Sequence, residues 1–385
     1  MKIAIVHDWL TGMRGGEKCL EVFCKLYPSA DLYSLLHIPG KVSPVIESHP
    51  IHTSFIQNLP FVESKYRYYL PLMPMAIESF DFTGYDLILS SSHCVAKSVK
   101  HGPETLHICY CHTPMRYIWD QFDQYFSRET SGFIPATVMR ILRPWLQRWD
   151  ARTSRRVDHF IANSSHVQKR IKKHYGQEAT VIHPPVDTGL FTPDSMAKGD
   201  YFLIVAAFAP YKRVDLAVEA FNKLGYPFII IGEGQDADPL RKMAGPNIRF
   251  EGWLDNSAIR SHYARCRAFV FCGEEDFGIT LLEAQAMGRP VIAFGRGGAL
   301  ETVVPDVQTW KPETGIAKNK TSHPTGVFFY EQTSEALIKA IQHFESIESQ
   351  FNAEAIQSHA AEFDVAVYTD RIRNFIEERL EKHRC

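Results

Sequence analysis

Two glutamates, Glu275 and Glu283, flank the predicted start of a helix and are separated by seven residues. An apolar run, 268–272, precedes them and a helix-forming run, 280–287, follows, which predicts a strand, an acidic glycine-bearing loop and a helix. The first turn of a helix offers backbone N–H groups and a partial positive charge, which suit a phosphate. Carboxylates on either side of a diphosphate could accept hydrogen bonds from hydroxyl groups, such as those of two sugars. A capping Glu275 with a solvated Glu283 is the simpler alternative.

The chain around this stretch alternates short apolar runs with segments of helical periodicity. Strands are predicted at 201–207, 228–231, 247–251 and 290–294, and helices at 214–224 and 255–265. Gly232 and Gly234 follow one of these strands, and a glycine loop at 295–298 follows another. Strand–helix alternation of this kind predicts a parallel sheet with helices on both faces.

A second series of the same kind occupies the first half of the chain. Strands are predicted at 2–7, 86–90, 105–111, 157–162 and 179–182, with short helices and loops at 38–80. Gly12, Gly15 and Gly16 form a loop that opens a helix at Glu17. Glycine lets the backbone approach a ligand closely, and the helix start favours an anion. The loop lacks the GxGxxG and Walker patterns, so a plain strand-to-helix turn is the alternative.

Polar side chains follow two of the strands in this first half. The segment 91–93 follows one strand, and His112 follows the next. The carboxyl ends of the strands are the usual ligand edge of a parallel sheet. His112 could therefore face a substrate, or it could be a satisfied turn residue. We expect two domains whose ligand edges face one cleft.

Length and composition exclude several classes of protein. A chain of 385 residues is too long for one ordinary core, so two domains are expected. The net charge of -2 gives no argument for nucleic acid as a partner. The eight cysteines show no disulfide spacing, which favours a reducing cytoplasm. No signal peptide is visible, and apolar runs such as 202–209 fall short of the ~18 residues that a membrane helix needs.

Two further segments have alternative interpretations. Cys109, Cys111 and His112 could suggest a metal site, but a second ligand pair is lacking and a buried strand explains them better. The basic amphipathic segment 139–156, where Pro144 predicts a kink or a helix start, either packs an apolar stripe in the core or touches anionic lipid. A second basic run nearby, 169–174, favours the lipid alternative.

Together these motifs resemble those of a retaining glycosyltransferase of family 4 with the GT-B architecture, in which two Rossmann-like domains with parallel sheets face an interdomain cleft. The motifs that carry the resemblance are 275–283 and 288–293, supported by 15–16, 112–116, 162–164, 184–187, 211–215 and 232–234. Segments 111–120 and 210–220 are similar to those of GDP-mannose-dependent mannosyltransferases of bacterial surface-polysaccharide assembly.

The resemblance implies an N-terminal, acceptor-side domain at 1–190 and a C-terminal, nucleotide-sugar-binding domain at 191–364. The polar segment 192–200 has the composition of a linker between them. The final helix, 365–385, is expected to join the N-terminal domain.

In the C-terminal domain the resemblance implies that Glu275 holds hydroxyls of the transferred sugar and that Glu283 holds the ribose hydroxyls. Backbone N–H groups around Phe277, Gly278 and Ile279 would meet the sugar and the diphosphate. Glu275 would position the sugar rather than form a covalent bond. Retention of configuration would then come from attack on the same face, assisted by the leaving phosphate.

The diphosphate and the base have their own expected partners in this domain. Lys212 would neutralise the diphosphate, with Arg213 helping, and residues near Gly232, Gly234 and Trp253 would border the nucleoside base. Lysine and a helix dipole can stabilise the charge that develops on a leaving diphosphate. We therefore expect neither a metal nor another cofactor, and no Asp-X-Asp motif stands out beside this site.

In the N-terminal domain the resemblance implies that His112 reaches the donor sugar and that Gly15 and Gly16 let the first loop approach the phosphates. Arg116 would lie on the acceptor side. Acceptors in lipopolysaccharide, O-antigen and exopolysaccharide pathways are often polyprenyl-diphosphate-linked glycans at the inner face of the membrane. We expect a cytoplasmic enzyme that contacts this membrane peripherally and binds no nucleic acid.

One position departs from the family pattern. Family members commonly carry an arginine where this chain has Ala207, and arginine gives bidentate charge-assisted bonds to phosphate. Arg213 and Arg296 are the candidates to take its place; without a substitute, the alternative is a non-catalytic nucleotide-sugar-binding relative. A UDP-sugar donor and a sugar-nucleotide epimerase are further alternatives. A dinucleotide-dependent oxidoreductase is disfavoured because the first loop lacks the fingerprint and its acidic partner.

Overall fold

The computed structural model describes residues 1–126, 132–192, 199–314 and 323–384, which fall into two compact units. The first unit comprises Met1–Pro184 and the chain from Tyr368 onward, and the second comprises Pro185–Val367. Most of the linker predicted at 192–200 lies outside the described residues. Each unit contains a parallel sheet, so the predicted fold class of two Rossmann-like α/β domains is confirmed.

The sheet of the first unit has seven strands in the order β3-β2-β1-β4-β5-β6-β7, and all neighbouring pairs are parallel. Its strands are β1 Ile3–His7, β2 Asp31–Ser34, β3 Ile51–Thr53, β4 Leu87–Ser92, β5 Leu106–Cys111, β6 His159–Ala162 and β7 Ala179–Val181. The central strands β4 and β5 are buried over their full length, as is usual in a parallel sheet covered on both faces. The register pairs His7 with Ser91, which brings the carboxyl ends of β1 and β4 together.

The sequence pattern does not predict β2 and β3. Strand β2 alternates buried and half-buried residues, and β3 is an edge strand that is largely exposed. Neither strand has the continuous apolar run by which the central strands can be recognised.

The helices of the first unit are α1 Gly15–Leu26, α2 Pro44–Glu47, α3 Val62–Lys65, α4 Met73–Glu78, α5 Phe122–Tyr125, α6 Phe133–Thr153 and α7 Ser165–Tyr175, with 3-10 turns at Phe55–Asn58, Tyr66–Leu72, Ala96–Ser98 and Ser154–Arg156. Helix α6 continues through Pro144, so this proline does not start the helix. None of the described helices is both long and apolar enough to cross a membrane.

Helix α1 begins at Gly15, so the prediction that it opens at Glu17 is wrong. Arg14 is the N-cap residue, and its backbone N–H donates to the Glu17 carboxylate at 3.0 Å. A glutamate at the third helical position is well placed for this capping bond. Gly15 and Gly16 therefore form the first helical turn rather than a flexible loop.

The sheet of the second unit has six strands in the order β10-β9-β8-β11-β12-β13, again parallel throughout. Its strands are β8 Phe202–Val205, β9 Phe228–Ile231, β10 Ile248–Gly252, β11 Phe269–Phe271, β12 Val291–Phe294 and β13 Gly326–Phe329. Strands β8, β11 and β12 are neighbours, so the loops after their carboxyl ends lie side by side. These loops carry the motifs that the sequence singles out.

The remaining helices are α8 Val214–Leu224, α9 Ala237–Met243, α10 Asn256–Arg265, α11 Ile279–Ala286, α12 Ala299–Thr302, α13 Ser334–Ile347, α14 Ala353–Ala361 and α15 Val365–Arg384, with 3-10 turns at Pro210–Lys212, Pro312–Thr314 and Glu348–Gln350. Helices α8 and α13 bury their apolar faces in one core on the same side of this sheet, and α11 packs in the core on the other side.

Candidate active site

Lys212 and Glu275 meet at the carboxyl edge of the second sheet. Lys212 ends the 3-10 turn in the loop after β8, and Glu275 lies in the loop after β11. The Lys212 ammonium donates to Oε1 of Glu275, and the two side chains are only 17% and 19% exposed. Gly273 permits this approach, since a Cβ there would lie 2.9 Å from the Tyr211 carbonyl oxygen. The predicted anion-binding lysine and sugar-binding glutamate are therefore brought together.

Glu283 lies one turn into α11 and is buried, so the alternative of a solvated surface residue is wrong. The hydroxyl of the fully buried Tyr263 donates to Oε2 of Glu283 at 3.2 Å. Burial, together with the charge of Glu283, raises the pKa of Tyr263 well above its ordinary value. Tyr263 therefore remains a hydrogen-bond donor that orients this carboxylate. The sequence alone does not reveal this role of Tyr263, because helical periodicity gives it an ordinary core position.

The glycine loop after β12 packs directly on the backbone of the acidic loop. The Gly298 N–H donates to the Glu275 carbonyl oxygen at 2.8 Å. A Cβ at Gly298 would lie 2.2 Å from Cα of Phe277, and Gly297 adopts a φ of +62° with its Cβ position 2.3 Å from the Glu275 oxygen. Only glycine fits such a close approach. These two glycines therefore hold Glu275 in place.

The three residues that open α11 have different environments. The side chain of Phe277 is buried in a small apolar cluster and packs against Phe363 with 5.9 Å between ring centroids. Gly278 is the N-cap residue with a φ of +91°, and Ile279 is the first helical residue, partly buried against the same cluster. Since the Phe277 ring points inward, only its backbone can meet a ligand, as the resemblance implies.

Gly232 and Gly234 are required by close packing against the loop after β8. A Cβ at Gly232 would lie 1.9 Å from the Ala206 carbonyl oxygen, and one at Gly234 would lie 2.4 Å from the Phe208 oxygen. The segment after β9 thus packs tightly under the loop that leads to Lys212. Trp253, just after β10, is 74% exposed and offers a ring on which a base could stack.

The structure separates the two basic neighbours Lys212 and Arg213. The Arg213 guanidinium donates to both carboxylate oxygens of Asp215 at 2.9 to 3.2 Å, and its φ of +52° is the left-handed conformation that non-glycine residues seldom adopt. This side chain is held on α8, whereas Lys212 is held at Glu275. Ala207 is exposed at the end of β8, and the guanidinium of Arg296 lies 5.8 Å from the Phe294 ring centroid.

In the first unit His112 stands directly after β5. Its backbone N–H donates to the Ser92 carbonyl oxygen at 2.8 Å, and the Asn163 side chain donates to its carbonyl oxygen at 2.9 Å. Its ring nitrogen Nε2 lies 2.8 Å from Oγ of Ser91. Gly16 lies against this ring, since a Cβ at Gly16 would be 3.7 Å from the same nitrogen. The structure thus brings two predicted residues, Gly16 and His112, into contact.

A buried polar cluster, which is not predictable from the sequence pattern, surrounds His112. His7 and Glu17 are both buried, and Nε2 of His7 lies 3.6 Å from Oε1 of Glu17. Asp8 accepts hydrogen bonds from four consecutive backbone N–H groups, those of residues 93–96, at 2.6 to 2.9 Å. The signal that could have revealed this cluster is the position of these polar residues at the ends of apolar runs.

Arg116 is half-buried in the segment that follows His112. Burial and the neighbouring His7 hold the pKa of His93 below its ordinary value, and the charge of Arg116 adds to this effect. The guanidinium of Arg116 therefore lies near this cluster. Among residues 1–126, 132–192, 199–314 and 323–384, no group of three or more His, Cys, Asp or Glu side chains is arranged to hold a metal ion.

Two family models match the chain, one on each half. The model for "Glycosyltransferase Family 4" matches residues 34–190, and that for "Glycosyl transferases group 1" matches residues 193–362. The chain thus combines domains that match two glycosyltransferase families in one GT-B fold. This GT-B chain superposes on Anabaena HepE in complex with UDP with a TM-score of 0.70, at 17% identity over 98% of this chain and 100% of that one. The sucrose-phosphate synthase of Thermosynechococcus elongatus gives a TM-score of 0.73, at 15% identity over 99% and 100% of the two chains.

Curated relatives of this chain include several mannosyltransferases. The "GDP-mannose-dependent alpha-(1-6)-phosphatidylinositol monomannoside mannosyltransferase" of Mycobacterium tuberculosis is 29% identical over 171 residues, which are 36% of this chain and 44% of the relative. The "O-antigen chain mannosyltransferase C" of Escherichia coli is 33% identical over 101 residues, 24% of this chain and 27% of the relative. The chain therefore matches less than half the length of either relative.

Proposed function

We propose that this chain is a retaining glycosyltransferase that moves mannose from GDP-mannose to a glycan or lipid-linked glycan in the assembly of a bacterial surface polysaccharide, such as lipopolysaccharide O-antigen or an exopolysaccharide. The observation that carries the proposal is the gathering of Lys212, Glu275 and Glu283 on or beside the first turns of α11. The named specificity of the mycobacterial relative supports the donor, and the Escherichia coli relative supports the pathway.

The donor binds with its diphosphate at the start of α11. The helix N-terminus and the Lys212 ammonium supply positive charge where negative charge develops as the glycosidic bond to the diphosphate breaks. Glu275 then accepts hydrogen bonds from hydroxyls of the sugar, and Glu283, oriented by Tyr263, accepts those of the ribose. This arrangement needs no metal, because a lysine and a helix dipole neutralise the leaving group.

The reaction retains configuration without a covalent intermediate. Glu275 is paired with Lys212 and serves to position the sugar. The acceptor hydroxyl attacks from the face that the diphosphate leaves, and the leaving phosphate assists by taking the hydroxyl proton. We propose that His112 contacts the donor sugar and that Arg116 lies on the acceptor side.

A membrane surface is part of the proposed setting, and helix α6 supports it. This helix buries one face, including Met139, Leu146 and Trp149, in the core. A second apolar face is exposed: Ile134 by 73%, Val138 by 44%, Ile141 by 73% and Trp145 by 46%. The spacing of these residues places them on one side of the helix. The buried face fits the core alternative for segment 139–156, while the exposed face and the exposed arginines beside it support the proposed contact with anionic lipid.

A product assay tests the proposed activity. Purified protein is incubated with GDP-mannose and a polyprenyl-diphosphate-linked glycan extract, and both nucleotide and lipid products are identified by mass spectrometry. Release of GDP with a gain of one hexose on the lipid supports the proposal. A changed sugar nucleotide without any acceptor product would indicate an epimerase. Donor binding without release of nucleotide would indicate a non-catalytic relative, the outcome that Ala207 makes worth testing.

A further inference from the structure

A continuous chain of polar side chains runs from the interior of the first unit to His112. Strands β1 and β4 pair His7 with Ser91, and Nδ1 of His7 lies 3.1 Å from Oγ of Ser91. The same Ser91 oxygen lies 2.8 Å from Nε2 of His112. The other nitrogen of His7, Nε2, faces the Glu17 carboxylate. We propose that Glu17, His7 and Ser91 are positioning residues that set which ring nitrogen of His112 carries the proton.

The side chains of Glu17 and His7 are buried, so a charge on either one needs a partner of opposite charge or hydrogen-bond donors beside it. His7 is completely buried, and Glu17 is 4% exposed. Burial acts to raise the pKa of Glu17, but the close approach and the charge of His7 outweigh it and hold this pKa below its ordinary value. An ionised carboxylate so deep in the protein needs a cation or donors beside it. Nε2 of His7 has no hydrogen bond within the described part of the chain and faces this carboxylate 3.6 Å away, so a protonated His7 would serve as the counter-ion.

The proposed arrangement gives each hydrogen bond a direction. Both nitrogens of His7 carry a proton in it: Nε2–H faces the Glu17 carboxylate and Nδ1–H donates to the Ser91 oxygen. The Ser91 hydroxyl then donates to Nε2 of His112, which leaves the proton of that ring on Nδ1. Without the carboxylate, Ser91 could donate to Nδ1 of His7 instead, and His112 would carry its proton on Nε2.

The other titratable groups around this chain are engaged elsewhere. Asp8 is saturated by backbone N–H groups and by Nδ1 of His93 at 3.2 Å. Burial and the charge of His7 hold the pKa of His93 below its ordinary value, so His93 remains neutral. Arg14 and Arg116 act on His93 through their charge and strengthen this effect. Glu17 is thus the group that determines which nitrogens of His7 and His112 carry protons.

The first turn of α1 covers the rings of His7 and His112. A Cβ at Gly16 would lie 3.6 Å from Cε1 of His7 and 3.7 Å from Nε2 of His112, so the turn covers both rings. The next residue of the same turn is Glu17. The segment 15–17 therefore contributes in two ways. Its glycines allow the backbone to approach both rings closely, and its carboxylate determines which ring nitrogen of His112 carries the proton. The value of that order for sugar transfer rests on the proposed function.

The test measures the tautomer of His112 directly, without relying on activity. Long-range proton–nitrogen NMR correlations of isotope-labelled protein distinguish Nδ1–H from Nε2–H imidazoles, and His112→Gln assigns the signals. We expect the Nδ1–H form in the wild type, the Nε2–H form in Glu17→Gln, and a mixture in Ser91→Ala. Glu21→Gln is the control, because Glu21 lies on the same helix but pairs with Lys25 at 2.9 Å.

Each result decides the proposal. An unchanged His112 spectrum in folded Glu17→Gln would overturn it, as would an Nε2–H form in the wild type. If Glu17→Gln does not fold, Ser91→Ala alone decides by whether the preference for one tautomer is lost. If the tautomer shifts as expected, kcat in Glu17→Gln should fall by about tenfold, because a small misplacement of a substrate-contacting group costs this much or more. If the tautomer shifts as expected but the protein binds no nucleotide sugar, the positioning role of Glu17, His7 and Ser91 stands and the proposed function is refuted.

Discussion

The Lys212 ammonium is paired with the Glu275 carboxylate, although the proposed function assigns these groups to different parts of one ligand. The pair neutralises two poorly exposed charges. A diphosphate would draw Lys212 away from Glu275, and the freed carboxylate would then meet the sugar hydroxyls. Donor binding and assembly of the catalytic groups would thus be one event.

Removing either member of this pair should abolish most of the activity. In Lys212→Ala the diphosphate loses its cation and meets an unpaired Glu275, so kcat should fall by on the order of a hundredfold or more. In Glu275→Ala the sugar loses its positioning group, and we expect a comparable loss with donor affinity largely kept. Initial rates of GDP release, with donor affinity from calorimetry, would check both. Full turnover in both variants would refute these roles.

Tyr263→Phe should weaken donor binding more than it slows chemistry. The substitution removes the hydroxyl that donates to Glu283 at 3.2 Å and leaves the ring in place. We expect KM for the donor to rise several-fold with kcat almost unchanged, and stability to fall by about 1 kcal/mol. Steady-state kinetics and urea unfolding measure the two effects. A fall in kcat with KM unchanged would show that Glu283 acts on the reacting sugar rather than on the ribose.

Gly298→Ala should disrupt the acidic loop. The new Cβ would lie 2.2 Å from Cα of Phe277, a backbone atom that cannot move aside without shifting Glu275. We expect a loss of stability of about 2 kcal/mol or more and a loss of donor binding. Gly102→Ala is a suitable control, because a Cβ there would have no heavy atom within 4 Å. Equal melting temperatures and equal donor affinities for the two variants would contradict this account of the loop.

The buried carboxylate of Glu17 makes stability depend on pH in a defined direction. Its pKa is lower in the folded protein than its ordinary value, so its contribution is fully present above the unfolded-state pKa of about 4.3 and is lost as pH falls through the folded value. Near neutral pH, Glu17→Gln should cost roughly 1.5–3 kcal/mol. The difference from the wild type should shrink below about pH 4. Urea unfolding across this range would show the convergence, and a difference that stayed constant would contradict it.

The exposed face of α6 should mediate binding to anionic vesicles. Replacing both Ile134 and Ile141 with serine removes two side chains that are each 73% exposed, so folding should hardly change. Affinity for vesicles of phosphatidylglycerol and phosphatidylethanolamine should fall by about tenfold or more, since each isoleucine buried in lipid contributes at least about 1.5 kcal/mol. Val307→Ser, at a 59% exposed site in the second unit, is the control. Wild-type protein that fails to sediment with such vesicles would rule out this surface.

Much of the second unit is predictable from the sequence. Helix α8 and strand β9 occupy the predicted ranges, Val214–Leu224 and Phe228–Ile231, because continuous apolar runs and strong periodicity leave little choice. Strand β13 is not predicted, although its residues Gly326–Phe329 are apolar and buried, because so short an apolar run does not by itself distinguish a strand from a buried helical segment. Short and edge strands depend on neighbours that are distant in the chain.

Site residues that share one motif are predictable from the sequence. Contacts between residues that are distant in the sequence are not. Glu275 and Glu283 stand in one recognisable stretch, but their partners Lys212 and Tyr263 come from other loops and helices. Glu17 lies beside His7 only because α1 folds back over the carboxyl edge of the sheet. The spacing along the chain gives no sign of either relationship.

The binding of nucleotides by the intact chain tests the central claim most directly. Melting temperatures would be measured without metal in the presence of GDP, GDP-mannose, UDP, UDP-glucose, UDP-N-acetylglucosamine and ADP, since a ligand that binds only the folded state raises stability by RT ln(1 + [L]/Kd). We predict a clear rise with GDP and GDP-mannose alone, and its loss in Lys212→Ala. A rise with uridine ligands alone would contradict the proposed donor. No rise with any nucleotide would contradict donor binding at the Lys212–Glu275 site itself.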